Sequence, residues 1–296
     1  MLIEILTVIT PVIACALIGF IWAKSGHEYP SEFVSKLVFN VGAPCLIVSS
    51  ISQVQLSVAA LWSMALATLI CLASVGMVAW VIIRLLGHEP RILLVSMAFP
   101  NVGNMGLPLC LFAFGETGLA LAVAYFMIIS IAHFSVGMAI ATGESIRWRT
   151  FFRNPVLWAI AIACGLVGAE YTLPQAFANS LSLVGQLTIP MMLITLGVSL
   201  ASIHVSQWQQ GLFYSALRIV LGGTVAFGVS QAMNVTDEVR NVLILQGVMP
   251  VAVFNYLFAL RSGRQVQTVA SLVFISTFLS ILILPFVLAF LIPSAS

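Results

Sequence analysis

Long apolar runs separated by short polar breaks follow one another along the whole chain. Ten runs lie near residues 3–23, 32–53, 57–86, 91–114, 117–142, 155–170, 175–203, 208–233, 240–260 and 265–292. An α-helix needs roughly 20 apolar residues to cross the hydrocarbon core of a bilayer, and most of the runs are about that long. The pattern predicts an all-α integral membrane protein with ten transmembrane helices. The first run lacks a basic flank, so we expect a retained span rather than a signal peptide.

Basic residues are concentrated in alternate loops between these runs. Nine of the eleven Lys and Arg residues lie in or beside such loops: Lys24, Lys36, Arg84, Arg91, Arg147, Arg149, Arg153, Arg261 and Arg264. Arg240 lies on the opposite side, and Arg218 falls inside a run. Because cytoplasmic loops carry the excess of basic residues, the pattern predicts that both termini lie outside the cytoplasm.

The composition supports a membrane protein, since 61% of the residues are hydrophobic and only 7% are charged. A soluble domain carries about a quarter charged residues, so soluble enzymes and nucleic-acid binders are excluded. The lipid bilayer is the expected partner, and the net charge of +2 indicates no other. The five cysteines lie within apolar runs without metal-type spacing, which predicts packing residues and no metal site.

Prolines and their neighbours recur in the two halves of the chain. Pro11 corresponds to Pro155, Pro44 to Pro190, and Pro100 to Pro250. Each half then holds five runs, and an odd number of spans inserts the second half upside down. We therefore predict a first five-helix repeat over residues 1–142, a cytoplasmic linker over 143–154 and an inverted repeat over 155–296. Chance similarity among apolar helices is the alternative.

The fourth and ninth runs are interrupted in their middle. Two prolines, two glycines and two asparagines lie between Ala98 and Pro108, and the ninth run contains Gly247–Pro250 followed by Asn255 and Tyr256. Proline removes a backbone donor, and unpaired backbone groups at that depth are tolerated only inside protein or beside a water-filled cavity. Paired interruptions indicate a carrier's binding site, and half-helix N-termini suit anions. Kinks that only assist packing are the alternative.

These patterns yield the candidate site residues. The substrate-binding candidates are Asn101, Gly103, Asn104, Asn255, Tyr256 and Arg218; the hinge candidates are Pro100, Pro108 and Pro250; the cavity-lining candidates are Asn40, Gln186 and His133. Arg218 is interpreted either as a counter-charge for a carboxylate or as a structural residue that bonds to broken-helix carbonyls. His133 either transfers a proton or donates a hydrogen bond between helices.

Several classes of protein lack support in the sequence. All nine acidic residues fall in loops or at span ends, which argues against antiporters and proton pumps that depend on buried carboxylates. The chain contains no HExxH motif, phosphate-binding loop or Gly-x-Ser-x-Gly turn. We therefore expect no enzyme, no cofactor and no ATP-driven transport. Sodium coupling stays open.

The stretch from Pro100 to Pro108, followed by Gly115 and Gly118, resembles the fourth-span motif of the auxin efflux carrier family. That family includes plant PIN-type carriers and bacterial permeases for malate and malonate. Further matches are Asn154-Pro155, Ile189–Leu193, Leu196–Leu200, Met249-Pro250 and Asn255.

The resemblance implies a ten-span inverted repeat in which spans four and nine cross, with Pro100, Asn104, Pro250 and Asn255 at the crossover. It also implies a small organic anion bound beside that point, and a homodimer. Only residues 143–154 join the halves, so a bacterial-type member in the inner membrane is expected.

The predicted function is secondary transport of a small organic anion by alternating access around a midplane crossover site. The substrate would be a mono- or dicarboxylate such as malonate or malate, or an auxin-like weak acid. Two alternatives stay open: a sodium-coupled organic-anion symporter resembling the bile-acid transporters, and a passive channel or membrane sensor.

Overall fold

The computed structural model describes residues 2–53, 58–143, 155–169 and 171–292, and within these ranges the chain is helical. The α-helices are α1 (Leu2–Lys24), α2 (Ser31–Leu37), α3 (Ala43–Gln53), α4 (Val58–Leu85), α5 (Pro90–Ala98), α6 (Leu107–Ala132), α7 (Met138–Thr142), α8 (Pro155–Gly168), α9 (Gln175–Gln186), α10 (Thr188–Ser202), α11 (Trp208–Ala232), α12 (Asp237–Gly247), α13 (Val253–Ser262) and α14 (Val266–Leu291). Three π-helical turns join some of them, at Val38–Gly42, Val102–Gly106 and His133–Gly137. The predicted all-α class is confirmed.

Seven helices of the described chain are long and apolar enough to cross a membrane. They are Ile3–Lys24, Ser31–Ser50, Ala59–Leu85, Val102–Thr142, Gln175–Ser202, Trp208–Ala232 and Val266–Leu291. The three other predicted spans correspond to shorter helices. These are α5 with 9 residues, α8 with 14, and the pair α12 and α13 with 11 and 10. Ten spans therefore stay a prediction, because interrupted or short helices do not reach the crossing length by themselves.

The longest helical stretch, Val102–Thr142, contains 41 residues. A straight helix of that length would measure about 60 Å, about twice the thickness of the hydrocarbon core. The stretch breaks at Gly115, whose φ of 65° and ψ of −159° are not helical. A residue with a side chain adopts that backbone conformation only with strain, so glycine is needed here. The break divides the stretch into the second part of predicted span four and predicted span five.

Helices α1 and α10 form the most extensive helix pair, although they come from different halves of the chain. Glycines make their close approach feasible. A Cβ atom on Gly197 would collide with the Ala16 carbonyl oxygen, and one on Gly19 would collide with the Ile194 carbonyl oxygen. Small residues that let helix backbones approach are typical of membrane helix packing. Helix α3 in turn packs against α8 and α9, and α9 contacts α10, so these five helices form a first group.

A second group of helices packs around α11. This helix contacts α14, α12 and α4, while α4 also contacts α5 and α6. Residues of the predicted linker, including Arg147, Arg149, Arg153 and Asn154, lie outside the described residues. The two interrupted helices α5–α6 and α12–α13 both belong to this second group, and they meet inside it.

Candidate functional site

The two interrupted helices cross at Pro100 and Val251, which form an isolated antiparallel β-bridge. The Asn101 backbone N–H donates to the Pro250 carbonyl oxygen at 2.7 Å, and the Ala252 N–H donates to the Phe99 carbonyl oxygen at 3.2 Å. The crossing segments thus satisfy each other's backbone groups in an apolar interior, where an unpaired group costs several kcal/mol. The hinge candidates Pro100 and Pro250 are both buried at this point.

Proline explains why each helix opens here. The residue before a proline is pushed out of the helical region by the proline ring, and Phe99 has an extended backbone with φ −108° and ψ 100°. Helix α5 therefore ends at Ala98, and the chain becomes helical again only at Val102. In the other segment α12 ends at Gly247 and α13 begins at Val253. The third hinge candidate, Pro108, is the second residue of α6, which directly follows the π-helical turn Val102–Gly106.

Two half-helix N-termini consequently lie beside the crossing, at Val102 and Val253. The first N–H groups of a helix have no partner within the helix, and the helix dipole places partial positive charge there. Both features favour an anion at this place.

Asn255 connects three elements around the crossing. Its Nδ2 donates to the Phe99 carbonyl oxygen at 3.1 Å, and its Oδ1 lies 2.6 Å from Nε2 of His133. Since the amide nitrogen already donates to Phe99, the oxygen accepts, and the imidazole Nε2 carries the hydrogen. Asn255 is fully buried, and both ends of its amide are engaged. His133 therefore bonds between helices in this conformation, as one of its two sequence interpretations proposed.

Aromatic rings enclose this hydrogen-bond pair. The His133 ring stacks on Phe99 with centroids 4.5 Å apart, and Phe258 meets it edge-on at 5.0 Å. Phe254 contacts both Phe39 and Phe134 on the adjoining side. Such rings exclude water, which strengthens the enclosed hydrogen bonds.

Asn101, Asn104 and Tyr256 differ from Asn255 in their surroundings. Asn104 and Tyr256 are half-buried, and they lie in the first turns after the crossing. Asn101 is buried, and its Nδ2 has no hydrogen-bond partner among the described residues. Donor groups with spare capacity are therefore available beside the helix N-termini. Gly103 is buried against Phe126, whose ring would lie 2.9 Å from an added Cβ, so it serves close packing.

Arg218 lies at the C-terminal end of the half-helix α12. Its Nη1 donates to the carbonyl oxygen of Gly247, the last residue of α12, at 3.2 Å. The C-terminal end of a helix carries partial negative charge, which favours a cation there. The structural interpretation of Arg218 thus accounts for this contact, while its role toward a substrate stays a prediction.

The other two lining candidates, Asn40 and Gln186, are exposed. Asn40 donates to the Lys36 carbonyl oxygen at 2.7 Å, and Gln186 donates to the Ser182 hydroxyl at 3.2 Å. The structure therefore does not bring these amides into the crossing. It adds two residues that sequence reasoning missed, Ser276 and Ser280 of α14. Their hydroxyls pair with the Val251 N–H and the Val248 carbonyl oxygen, and no sequence signal distinguishes them from other serines of an apolar helix.

A family model described as "Membrane transport protein" matches residues 4–145 and 138–288. The chain belongs to this family. The predicted resemblance to auxin efflux carriers is thereby confirmed. The family groups transporters rather than enzymes, and together with the apolar helices it identifies a multi-pass membrane transport protein.

Two archaeal relatives match this transporter over nearly its full length. An uncharacterized transporter of Methanothermobacter thermautotrophicus is 27% identical over 289 residues, which cover 93% of this chain and 94% of the relative. An uncharacterized transporter of Methanocaldococcus jannaschii is 24% identical over 297 residues, which cover 94% and 96%.

Proposed function

We propose that this transporter carries a small organic anion by alternating access around the crossing of its interrupted helices. The observation that supports the proposal is the pair of half-helix N-termini, at Val102 and Val253, beside the bridge between Pro100 and Val251. The partial positive charge at two helix ends favours an anionic group there without a buried basic side chain. A carboxylate of a mono- or dicarboxylic acid fits this chemistry.

The side chains nearest to these N-termini divide into two roles in our proposal. Asn104 and Tyr256 are half-buried, and Asn101 has an unpartnered amide nitrogen, so these three donate to the substrate. Asn255 has both amide ends occupied, and it instead holds the crossing in shape. Substrate affinity would then depend on the first group, and the stability of the fold on Asn255.

The packing supports two inverted five-helix repeats, and with them ten spans. Helix α1 packs on α10, the second part of predicted span seven, and α8 packs on α3, the second part of span two. Likewise α4 packs on α5, and α11 packs on α12. Each of these four contacts thus has its counterpart when the two halves are exchanged, as an inverted repeat requires.

The same packing suggests which parts move. Helices α1, α3, α8, α9 and α10 form one group, and the helices around α11 form the other, which contains the crossing. Each group contains helices from both halves of the sequence. We propose that the two groups move against each other. The crossing would move with the second group and open alternately to the two sides. We also propose that the protein is a homodimer in a prokaryotic plasma membrane with both termini outside.

The test is a binding measurement on the purified protein with malonate, malate and indole acetate, each compared with its uncharged amide. A ligand at 100 times its dissociation constant adds about 2.7 kcal/mol to the free energy of unfolding. We expect at least one acid to raise the melting temperature while its amide does not. Equal stabilisation by acids and amides, or by neither, would contradict an anion site.

Asn104→Ala tests the position of that site. We expect this variant to keep the wild-type melting temperature without ligand and to lose the stabilisation by the acid. Asn179→Ala is the matched control, because Asn179 is an exposed asparagine that bonds Gln175 within α9. Wild-type affinity in Asn104→Ala would place the substrate elsewhere.

Repeating the titration in sodium and potassium salts separates a sodium-coupled carrier from an uncoupled one. Counterflow in vesicles separates a carrier from a channel.

A further inference from the structure

Arg218 carries a positive charge that the protein only partly compensates. Its side chain is buried, with 2% of its surface exposed, and its Nη1 donates to the Gly247 carbonyl oxygen. Its Nε has no hydrogen-bond partner among the described residues. An arginine at the centre of a membrane costs at least about 2.5 kcal/mol, so an unused donor on it needs an explanation.

Nearby charges compensate little of the positive charge on Arg218. Ion pairs among the described residues include Lys36 with Glu32, Arg91 and Arg264 with Glu89, and Arg240 with Asp237. None of them includes Arg218, whose titratable neighbours are Tyr125 and Cys71. The C-terminal end of α12 contributes roughly half an elementary negative charge. A net positive charge therefore stays in an apolar interior, where it attracts an anion strongly.

A small cavity adjoins the guanidinium group. Cys71 and Val75 of α4, Tyr125 and Ile129 of α6, Arg218 of α11 and Gly247 of α12 line it. Its volume holds about one particle of the size of a water molecule. Tyr125 and Cys71 are buried and bring an O–H and an S–H donor to the same space. The polar side chains on its wall are therefore all hydrogen donors.

We propose that this cavity is a binding site for a single small monovalent anion of the chloride or bromide class. Guanidinium, phenol and thiol donors surround an anion without bringing a negative side chain near it. The cavity is too small for an organic acid, so the site is separate from the substrate site beside Val102 and Val253. A bound halide would neutralise Arg218 and hold α4, α6 and α11 against the end of α12, where the chain enters the crossing.

The first experiment compares the melting temperature of the purified protein in sodium chloride and in sodium gluconate at equal ionic strength. Gluconate is too large for the cavity, so we expect a higher melting temperature in chloride. Arg218→Met removes the charge and is expected to abolish the difference. Arg240→Met is the control, because Arg240 bonds Asp237 near the surface, 2.9 Å away, and its loss should leave the difference intact. Equal melting temperatures of the wild type in both salts, or a chloride effect that persists in Arg218→Met, would overturn the proposal.

The second experiment decides the matter even if Arg218→Met does not fold. Crystals of the wild-type protein grown in bromide are expected to show an anomalous peak within hydrogen-bond distance of Arg218 Nε. A cavity without such a peak, filled by water, would overturn the proposal. A third arm adds a saturating carboxylate to the bromide. Loss of the peak would show that the halide and the carboxylate compete and would overturn a separate site, whereas a retained peak supports it regardless of the substrate.

Discussion

Asn255 of α13 donates a hydrogen bond to the Phe99 carbonyl oxygen across the crossing at 3.1 Å, and it thereby ties together two segments that are 156 residues apart in sequence. The Phe99 carbonyl also accepts from the Ala252 N–H, so one oxygen accepts both a side-chain and a backbone hydrogen bond across the crossing. The interrupted helices are therefore held by side-chain and backbone bonds together.

Removal of this tie should destabilise the protein. In Asn255→Ala the His133 Nε2–H loses its acceptor, and the Phe99 carbonyl oxygen loses one of its two donors. We expect the free energy of unfolding to fall by about 1–3 kcal/mol, the usual result of leaving a buried partner unsatisfied. Thermal unfolding in detergent measures this, with Asn179→Ala as the control at an exposed asparagine. An Asn255→Ala variant that is as stable as wild type but does not bind substrate would make Asn255 a substrate ligand instead.

The hydrogen on His133 Nε2 can be tested with two substitutions, one that keeps a hydrogen-bond donor and one that does not. Glutamine can donate an amide hydrogen to the Asn255 Oδ1, whereas phenylalanine keeps the ring stack on Phe99 but has no donor. We expect His133→Phe to lower stability by about 1–3 kcal/mol and His133→Gln to retain most of it. Melting temperatures and transport rates of both variants check this. Equal losses in both would show that the ring itself, rather than its hydrogen bond, is required.

The contact between α1 and α10 depends on a glycine. In Gly197→Ala the new methyl group would collide with the Ala16 carbonyl oxygen, a backbone atom that cannot turn away. We expect a loss of about 1–3 kcal/mol, as for other overpacked interiors. Gly76→Ala in α4 is the control, because nothing lies within 4 Å of its added Cβ. There alanine should be neutral or stabilise the helix by up to about 1 kcal/mol. Urea or thermal unfolding compares the two, and equal behaviour would contradict the close packing.

The proposed orientation predicts which side of the membrane each loop faces. In a background without the five native cysteines, Ser25→Cys should react with an impermeant maleimide only in inside-out vesicles. Thr236→Cys should react only in intact cells, because seven proposed spans separate the two positions. Both residues are exposed, so the reagent reaches them. Labelling of both from the same side would show that the number of crossings between them is even and that the span count is wrong.

Much of this fold follows from the sequence because hydropathy and backbone chemistry are local. Apolar runs define membrane helices wherever they occur, and proline interrupts a helix through its own ring and its missing donor. The helix ends at Ala98 and Gly247 were therefore predictable from Pro100 and Pro250. The family was recognisable from the residues between Pro100 and Pro108, because a sequence motif is local as well.

Only the tertiary structure decided how those broken helices are joined and what the polar residues inside them do. The bond from Asn101 to Pro250, and the position of Asn255 between Phe99 and His133, depend on helices that are distant in sequence packing side by side. Likewise Arg218 could have faced a substrate, but the packing of α11 on α12 directs it to the carbonyl end of a half-helix. A hydropathy pattern records how apolar each segment is. It contains no distance between two segments, and the partner of a buried polar group is set by that distance.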